Sequence, residues 1–555
     1  MLTISTRAIN VLNKNGIELF EGKAAWLQLS NDSFLSGWDK LYEDCPWGTV
    51  FQSRAFITTW YSNYQETYIP LFIVSFEGRR LTGLLLLAKT KDGLIIGAGD
   101  AQAEYQVWLA TENNGNDFIS KALKIVDSYL PNTKVQLKYI PDNAPMHWVN
   151  ESTYFKARCL VKVYKQPLLK IKEDHFINEL QKKNRREKLN RLKRIGNLQF
   201  VHITSYSEFE AILDKLALQF DFRKKAVFNT AVFLQDPKRK NFLLSLFKQG
   251  LLHTTVLKVN EDIIAANVSV FGKGWVHLQG VNTHAPSFAK YSPGILHLLM
   301  LGKQLASEGI SVFDLTPGDD PYKGQLATNY KEAFHLIVSS PYQLQVSKLK
   351  LASAEGFKKL LLLIGYTPSK FKWYTWKLKD QYKHVFKKGL PFSIKYFVSR
   401  IITPNKENVY VFQHGQILPS FNGVTININS LSDMLCFDPK GSSLNSWAFF
   451  EDAMRRFEDG ETCFSYCEKG QLQACVWLAS AKSSKTANEP KLTGFYYHSI
   501  LHNKKNLLLS VISTVVAMDQ THNVIYAHVR KGDKFICQTL KDLGFKRANS
   551  ADSDN

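Results

Sequence analysis

Residues 318–323 of this 555-residue chain are Gly-Asp-Asp-Pro-Tyr-Lys. They set two adjacent carboxylates, a phenol and an amine directly behind the apolar run Val312–Leu315. A carboxylate at a strand end, or a water it orients, can serve as general base for an attacking amine. Neighbouring carboxylates repel, so one can hold a raised pKa and work near neutral pH. Asp319 is the first choice for that base and Asp320 its nearest competitor. Tyr322 can return a proton to a leaving group, and Lys323 can hold an acidic one. The same residue types make ordinary solvated turns, and composition by itself favours the turn. A second candidate, Tyr291-Ser-Pro-Gly294, lies between a strand-like and a helix-like segment. A helix start offers unpaired N–H groups and a favourable dipole to an anion. Pro293 costs little there, and Gly294 lets backbone approach a ligand closely. A plain helix cap explains the same residues.

Charge is concentrated. The net charge is +21, from 70 basic and 49 acidic residues, and two short stretches carry 18 of the surplus. Residues 165–194 have 11 basic against 4 acidic residues, and residues 345–404 have 13 against 2. In the first, one helix is predicted over Phe176–Ile195, with Leu180, Leu189, Leu192 and Ile195 as an apolar strip. Its cations are either a solvated face or a means of capturing an acidic partner such as a nucleotide phosphate, a carrier protein or tRNA. No zinc-finger, RNP or recognition-helix pattern supports sequence-specific nucleic-acid reading. In the second stretch, Phe371, Tyr374, Leu378, Tyr382 and Val385 fall on one helical face among many lysines. An anionic membrane surface suits such a helix; so does packing between domains. Cys463 and Cys467 with His498, His502, His522 and His528 lack a recognised ligand spacing. Core thiols and surface histidines are expected, and no metal.

These groups must be held by something folded. At 45% hydrophobic and 21% charged residues the chain is neither disordered, collagenous nor disulfide-dense. Its longest apolar runs fall well short of a membrane span of ~20 residues. Seven scattered cysteines and the lack of a charged-then-apolar leader point to the cytoplasm. One pattern occurs three times. Leu71–Phe76, Leu81–Lys89 and Leu94–Ala98 form a predicted three-stranded meander, as do Thr255–Val259, Ile263–Phe271 and Trp275–Val281. Cys463–Cys467, Leu472–Ser480 and Leu492–His498 form the third. Each is followed by a helix (Phe118–Tyr129, Gly294–Ser307, Lys505–Asp519) and one more strand (Lys134–Ile140, Ser311–Leu315, Val524–Val529). A helix between a meander and a further strand makes a β-α-β crossover with a parallel pair. The fold class is therefore α/β with mixed sheets.

This order resembles the core of the GNAT (Gcn5-related N-acetyltransferase) superfamily, and Leu543-Gly544-Phe545 resembles its C-terminal strand entry. The first two copies are similar to the CelD-type, cellulose-biosynthesis-like branch, related to the Fem-type tandem transferases. The resemblance rests on Thr49–Ser53 with Trp60, on Gly99-Asp100 through Glu104-Tyr105, and on the basic segment Lys183–Gly196. It rests further on Tyr291–Gly294, and on Phe313-Asp314-Leu315 through Gly318–Lys323. It implies paired GNAT-like cores, residues 1–164 and residues 165–344, the second catalytic; a basic aromatic connector over 345–404 and a third GNAT-like core over 405–555 depart from that simple pattern. It implies an acyltransferase using acetyl-CoA or another acyl-CoA. The donor would lie at Gly280, Lys290, Tyr291, Ser292 and Gly294, with backbone N–H groups around Gly280 holding the oxyanion. The equivalent loops at Leu109–Asp117 and Leu501–Asn506 lack this character, so the middle copy is expected to bind the donor. An amine or hydroxyl on a small molecule or a surface-polysaccharide precursor would be the acceptor. A Fem-type transfer from aminoacyl-tRNA and a non-catalytic binding protein are the alternatives.

Overall fold

The chain opens with two strands, β1 (Asn10–Asn13) and β2 (Ile17–Glu21), which pair with the first meander. That meander is β3 (Ile69–Glu77), β4 (Arg80–Lys89) and β5 (Ile95–Gly97), with the short β6 (Leu109–Ala110) beside β4. The helix Gly115–Tyr129 then leads to β7 (Val135–Pro141), parallel to β5. This computed structural model describes residues 10–13, 16–318, 320–389, 407–413, 425–442, 444–479, 489–498, 505–518, 522–530 and 533–548.

The second copy repeats the plan. After β8 (Cys159–Lys170) and β9 (Leu198–Ile203) come β10 (Leu252–Val259), β11 (Asp262–Gly272) and β12 (Trp275–His284). Lys273 and Gly274 both take positive φ in the β11–β12 turn, as a two-residue hairpin requires. The helix Pro293–Ser307 carries the chain to β13 (Val312–Asp314), parallel to β12, and β14 (Asn329–Val338) follows.

The closing strands of the two copies are exchanged. β8, at the end of the first copy, pairs with β13 of the second, whereas β14, at the end of the second, pairs with β7 of the first. β8 and β14 also pair with each other over ten residues, Cys159–Leu168 against Asn329–Val338. Both copies thus share one 14-stranded sheet. Position 164/165 falls inside β8, so the backbone hydrogen bonds of that strand tie the two copies together.

The third copy has its own seven-stranded sheet. β15 (Glu407–Gln413) and β16 (Asn427–Ile428) precede the meander β17 (Thr462–Glu468), β18 (Gln471–Ala479) and β19 (Lys491–Tyr497). The helix Lys505–Met518 leads to β20 (Val524–Arg530), parallel to β19, and β21 (Lys546–Arg547) pairs with β15. This copy is docked on the second by aromatic packing. Phe222 and Ala226, on the helix Tyr206–Phe228, are buried among Phe449, Phe450 and Phe457 of the helix Ser446–Glu458. Trp447 Nε1 donates to the Ala226 carbonyl at 3.1 Å. A buried aromatic side chain contributes about 1.5–3 kcal/mol over an exposed one, so several together make a firm contact.

The predicted single helix over Phe176–Ile195 is two helices, Glu173–Gln181 and Lys183–Ile195. Lys182 breaks them with ψ 134°. The break serves two docking sites. Phe176 and Leu180 join a cluster with Leu298 and Leu305 of the helix Pro293–Ser307. Leu189 and Leu192 join another, with Leu296, Phe288 and Tyr291 at the start of that helix. The connector is a pair of helices, Pro341–Leu363 and Pro368–Lys387. No helix among the described residues is long and apolar enough to cross a membrane.

Candidate functional site

β12 and β13 pair over only three residues, Trp275 with Val312, Val276 with Phe313 and His277 with Asp314. Beyond the last pair β12 runs on to His284, and the two strands part. A bulge in β12 accompanies the parting. Ser269 of β11 faces Gly280 and the next residue, Val270, faces His277, which leaves Leu278 and Gln279 unmatched. Gly280 has φ +142°, and a Cβ there would lie 2.2 Å from the Val268 carbonyl oxygen. Only glycine fits. Its own carbonyl accepts from Arg239 Nη2 at 3.2 Å, and the Gln279 side chain donates to Ala101 O at 2.7 Å. The strand expected to supply oxyanion donors is therefore fixed both to the helix Lys238–Lys248 and to the first copy.

At the parting point sits a buried polar cluster. Asp314 is fully buried; its Oδ2 accepts from Tyr105 OH at 2.6 Å and lies 2.8 Å from His277 Nδ1. Its Oδ1 accepts from Thr316 N–H at 2.9 Å. Phe51 packs against both rings, with centroids 6.0 Å from Tyr105 and 5.2 Å from His277. Beside them Glu104 is also buried, and its carboxyl is pushed up to about 7. Loss of water is the main cause; the Asp314 charge adds to it, while Lys138 and Lys323 oppose it. Tyr105 and Glu104 come from the first copy, His277 and Asp314 from the second.

The loop after β13 is strained. Thr316 takes φ +64° and Gly318 φ +143°. A β-branched residue in the left-handed region costs on the order of 1–3 kcal/mol. Lys323 holds the loop in place: its buried ammonium donates to Thr316 O at 3.2 Å, Thr316 Oγ1 at 3.3 Å and Pro317 O at 3.4 Å, and pairs with Asp320 at 3.3 Å. Lys323 thus spends its donors on the loop instead of facing a ligand. Asp320 is half exposed. Asp319 lies outside the described residues. Tyr322, at the start of the helix Pro321–Leu326, is hydrogen-bonded to Asn282 of β12, and burial pushes its phenol up to about 12. It stays protonated at neutral pH. Arg223 reaches the same strand from the helix Tyr206–Phe228, donating to the Asn282 carbonyl at 3.2 Å. Burial lowers Arg223 to about 10, which leaves it charged at neutral pH. Lys224, beside it, also interacts with Asp320.

The donor residues expected from sequence lie where β12 ends. Ser292, at φ 53°, precedes the helix Pro293–Ser307 and does not cap it with its side chain. The Ser292 hydroxyl instead accepts from Lys188 Nζ at 2.8 Å. One cation of the basic helix is thereby delivered to a helix start, the arrangement that suits a phosphate. Gly294 stands over His284: a Cβ there would be 3.4 Å from the imidazole Nδ1. Burial, with Arg223 nearby, holds His284 well below its usual pKa, so it is neutral. Tyr291 packs against the basic helix, and the Lys290 ammonium lies 5.3 Å from the Tyr291 ring centroid. A Cβ on Gly460 of the third copy would come within 3.0 Å of Lys290 Nζ. The five donor candidates, Tyr322 and Lys323 thus gather around the parted strands. Sequence reasoning missed Glu104 as a chemical group, together with His277 and Arg223; Lys188 it had only as one of the cations of the basic helix.

Cys463 and Cys467 remain thiols, Cys463 with its pKa raised mainly by burial and Cys467 pushed up to about 12. Among the described residues one group could hold a cation: His202 Nδ1 and His253 Nε2 lie 3.1 and 2.9 Å from the Glu308 carboxylate. It sits at the opposite end of the helix Pro293–Ser307 from Ser292. Gln304 already donates to the same carboxylate at 2.8 Å.

The model of the acetyltransferase (GNAT) domain family matches residues 180–324. No curated protein matches the chain. Among solved structures, FemX aligns with 9% identity and a TM-score of 0.39, covering 56% of this chain and 97% of its own. L-PGS from Bacillus licheniformis aligns with 13% identity and a TM-score of 0.36, covering 58% and 97%. A GNAT-family acetyltransferase from Colwellia psychrerythraea aligns with 10% identity and a TM-score of 0.22, covering 63% and 96%. The matched stretch, residues 180–324, holds the basic helix, the parted strands and the strained loop.

Proposed function

We propose that the chain is a cytoplasmic acyltransferase of the CelD-type GNAT branch. It moves an acyl group, acetyl in the simplest case, from acyl-CoA to an amine or hydroxyl of a small molecule or polymer precursor. The observation that carries this reading is the ionisable cluster Glu104, Tyr105, His277 and Asp314 at the point where β12 and β13 part. The N–H groups at the start of the helix Pro293–Ser307, with Lys188, suit the donor's pyrophosphate. Positioning then does most of the work. The acceptor nitrogen bonds to the thioester carbonyl carbon and the C–S bond breaks. Glu104, ionised above about pH 7, takes the nitrogen's proton. Tyr322 supplies a proton to the thiolate, and backbone N–H groups around Gly280 stabilise the developing oxyanion.

Hydrogen exchange with and without acetyl-CoA tests the donor site, which should slow around residues 288–298. Slowing confined to residues 499–508 would move the donor to the third copy. Glu104→Gln and Asp319→Asn, assayed side by side, test the base. Loss of turnover with binding intact in Glu104→Gln alone supports Glu104. The same loss in Asp319→Asn alone transfers the role to Asp319.

A further inference from the structure

We propose that the helical pair Pro341–Leu363 and Pro368–Lys387 docks on an anionic lipid surface and inserts its tip there. The proposal does not depend on the acyl-transfer reading. The last turn of the first helix is Leu360-Leu-Leu-Leu-Ile-Gly-Tyr366, and only Leu361 in it is buried. Leu363 is 84% exposed, and Leu360, Leu362, Ile364 and Tyr366 are each more than half exposed. Apolar groups therefore point outward on every side of this turn but that of Leu361, the reverse of a helix packed on a protein core by a single apolar stripe.

The backbone of the tip is closed for an apolar medium. Gly365, at φ +79°, donates its N–H to Leu362 O at 3.1 Å, and Tyr366 N–H reaches Leu361 O at 2.9 Å. This double closure satisfies carbonyls that a helix end otherwise leaves to water. Pro368, at the start of the next helix, has no N–H to leave unpaired. A polar backbone group in hydrocarbon costs several kcal/mol, so the closed tip is suited to insertion.

Charge selects the occupant. The segment 341–389 holds 11 lysines against Glu355 and Asp380. Exposed Lys358 and Lys359 lie just below the tip, and exposed Lys379 lies further down the second helix. The inner side of that helix is already in use: Trp373 stands edge-on to Trp447 at 6.1 Å, Lys377 pairs with Glu451, and Val385 is buried. Tyr374 and Trp376 are left exposed, as aromatic residues at a headgroup boundary are. A second copy of the chain would bring the same positive excess against this one, and repulsion disfavours that pairing. An anionic leaflet attracts it.

Sedimentation of the full-length protein with vesicles tests the inference. Vesicles of phosphatidylcholine and phosphatidylglycerol in equal parts should carry it down at low salt, and pure phosphatidylcholine should not. Replacing Leu362, Leu363 and Ile364 by Ser removes the insertion and keeps the charge. It should weaken association by roughly a hundredfold. Lys358→Gln, Lys359→Gln and Lys379→Gln should each cost about fivefold. All six positions are exposed, so folding should survive, and a thermal melt checks this. Wild-type protein left in the supernatant of anionic vesicles would overturn the proposal. So would a serine variant that sediments like wild type, which shows attraction without insertion. A lipid-free dimer that the serine variant abolishes would assign the tip to a second copy instead.

Discussion

The second and third copies share one plan and differ at the point where their parallel strands separate. In the second, the last pair before the parting is His277 with Asp314, both buried and joined at 2.8 Å. In the third, the last pair is Leu492 with Ala527, both fully buried. The third copy also has a bulge here, between Trp477 and Leu478, and Arg456 lies against it, donating to the Thr493 hydroxyl at 2.8 Å and to its carbonyl at 3.2 Å. That guanidinium is itself held by Asp452 and Glu461. The wedge of the third copy is thus closed by a saturated ion cluster. The wedge of the second holds a buried imidazole, carboxylate and phenol, with the Glu104 carboxyl beside them. One fold thus presents two different junctions, and a site has to be read from such side chains and not from the fold.

The first copy has a third role. Its last parallel pair is Ile96 with Gln136, which offers no acid or base, but it lends Glu104 and Tyr105 to the second. The exchange of β8 and β14 makes this loan precise, because both copies belong to one hydrogen-bonded sheet. The largest expected effect follows from it. Glu104→Gln should lower kcat by about 10²–10⁴-fold and remove the rise of activity with pH through about 7. Glu461→Gln in the third copy should leave kcat within about twofold, since structural changes away from the reacting atoms act through stability. A comparable loss in both variants would end the distinction between the two wedges.

Gly280→Ala is expected to come next. The added Cβ meets the Val268 carbonyl at 2.2 Å and φ +142° is hostile to it, so the bulge must shift. Destabilisation of about 2–4 kcal/mol, read by urea unfolding, is the expected outcome. Gly494→Ala in the third copy places its Cβ 2.6 Å from the Arg456 guanidinium carbon. A side chain yields more readily than backbone, and the cost there should be smaller. An equal or larger cost at Gly494 would reverse this ordering.

A pH dependence of stability is expected at the residue proposed as the base. Glu104 has a raised pKa in the folded protein, so the fold binds its proton more tightly than the unfolded chain does. Its contribution is therefore favourable at low pH and lost as pH rises from about 4.5 to about 7. Unfolding at pH 5 and pH 8 should show wild type losing roughly 1–3 kcal/mol more than Glu104→Gln over that interval. Identical pH profiles for the two proteins would place the Glu104 carboxylate in water.

Much of this molecule was legible in the sequence because its signals are local. Turn residues and β-rich runs placed all three meanders, the crossover helices and the strands that follow them, usually within three residues. The strand exchange was not legible. β8 and β14 lie more than 150 residues apart and carry no local mark of their partners. Glu104 was visible as a letter in a family-like loop, but the charges that act on its carboxyl include Asp314 and Lys323, more than 200 residues away. Conversely, Gly318–Lys323 stood out by its residue types together with the family resemblance, yet neither could show that Lys323 turns inward to hold Thr316. The basic segment was found as well, but not its break at Lys182, because tertiary docking on two clusters, and not helix propensity, sets that angle.

The smallest effect concerns Lys188, and it separates binding from chemistry. Its ammonium reaches Ser292 at 2.8 Å, at the start of the helix that should face the donor's pyrophosphate. A charge-assisted hydrogen bond to a phosphate contributes about 1.5–3 kcal/mol. Lys188 is only partly buried, so solvent screening puts the expected loss at the lower end. Lys188→Met keeps an unbranched stem of similar length and removes the charge. The apparent Kd for acetyl-CoA should rise about tenfold, more at low salt than at high, while kcat at saturating donor stays near wild type. Lys183→Met, on the same helix but exposed, should change neither. Equal and small effects at both positions would make the basic helix a solvated face, and a fall in kcat without a rise in Kd would place Lys188 with the reacting atoms instead of the donor's phosphates.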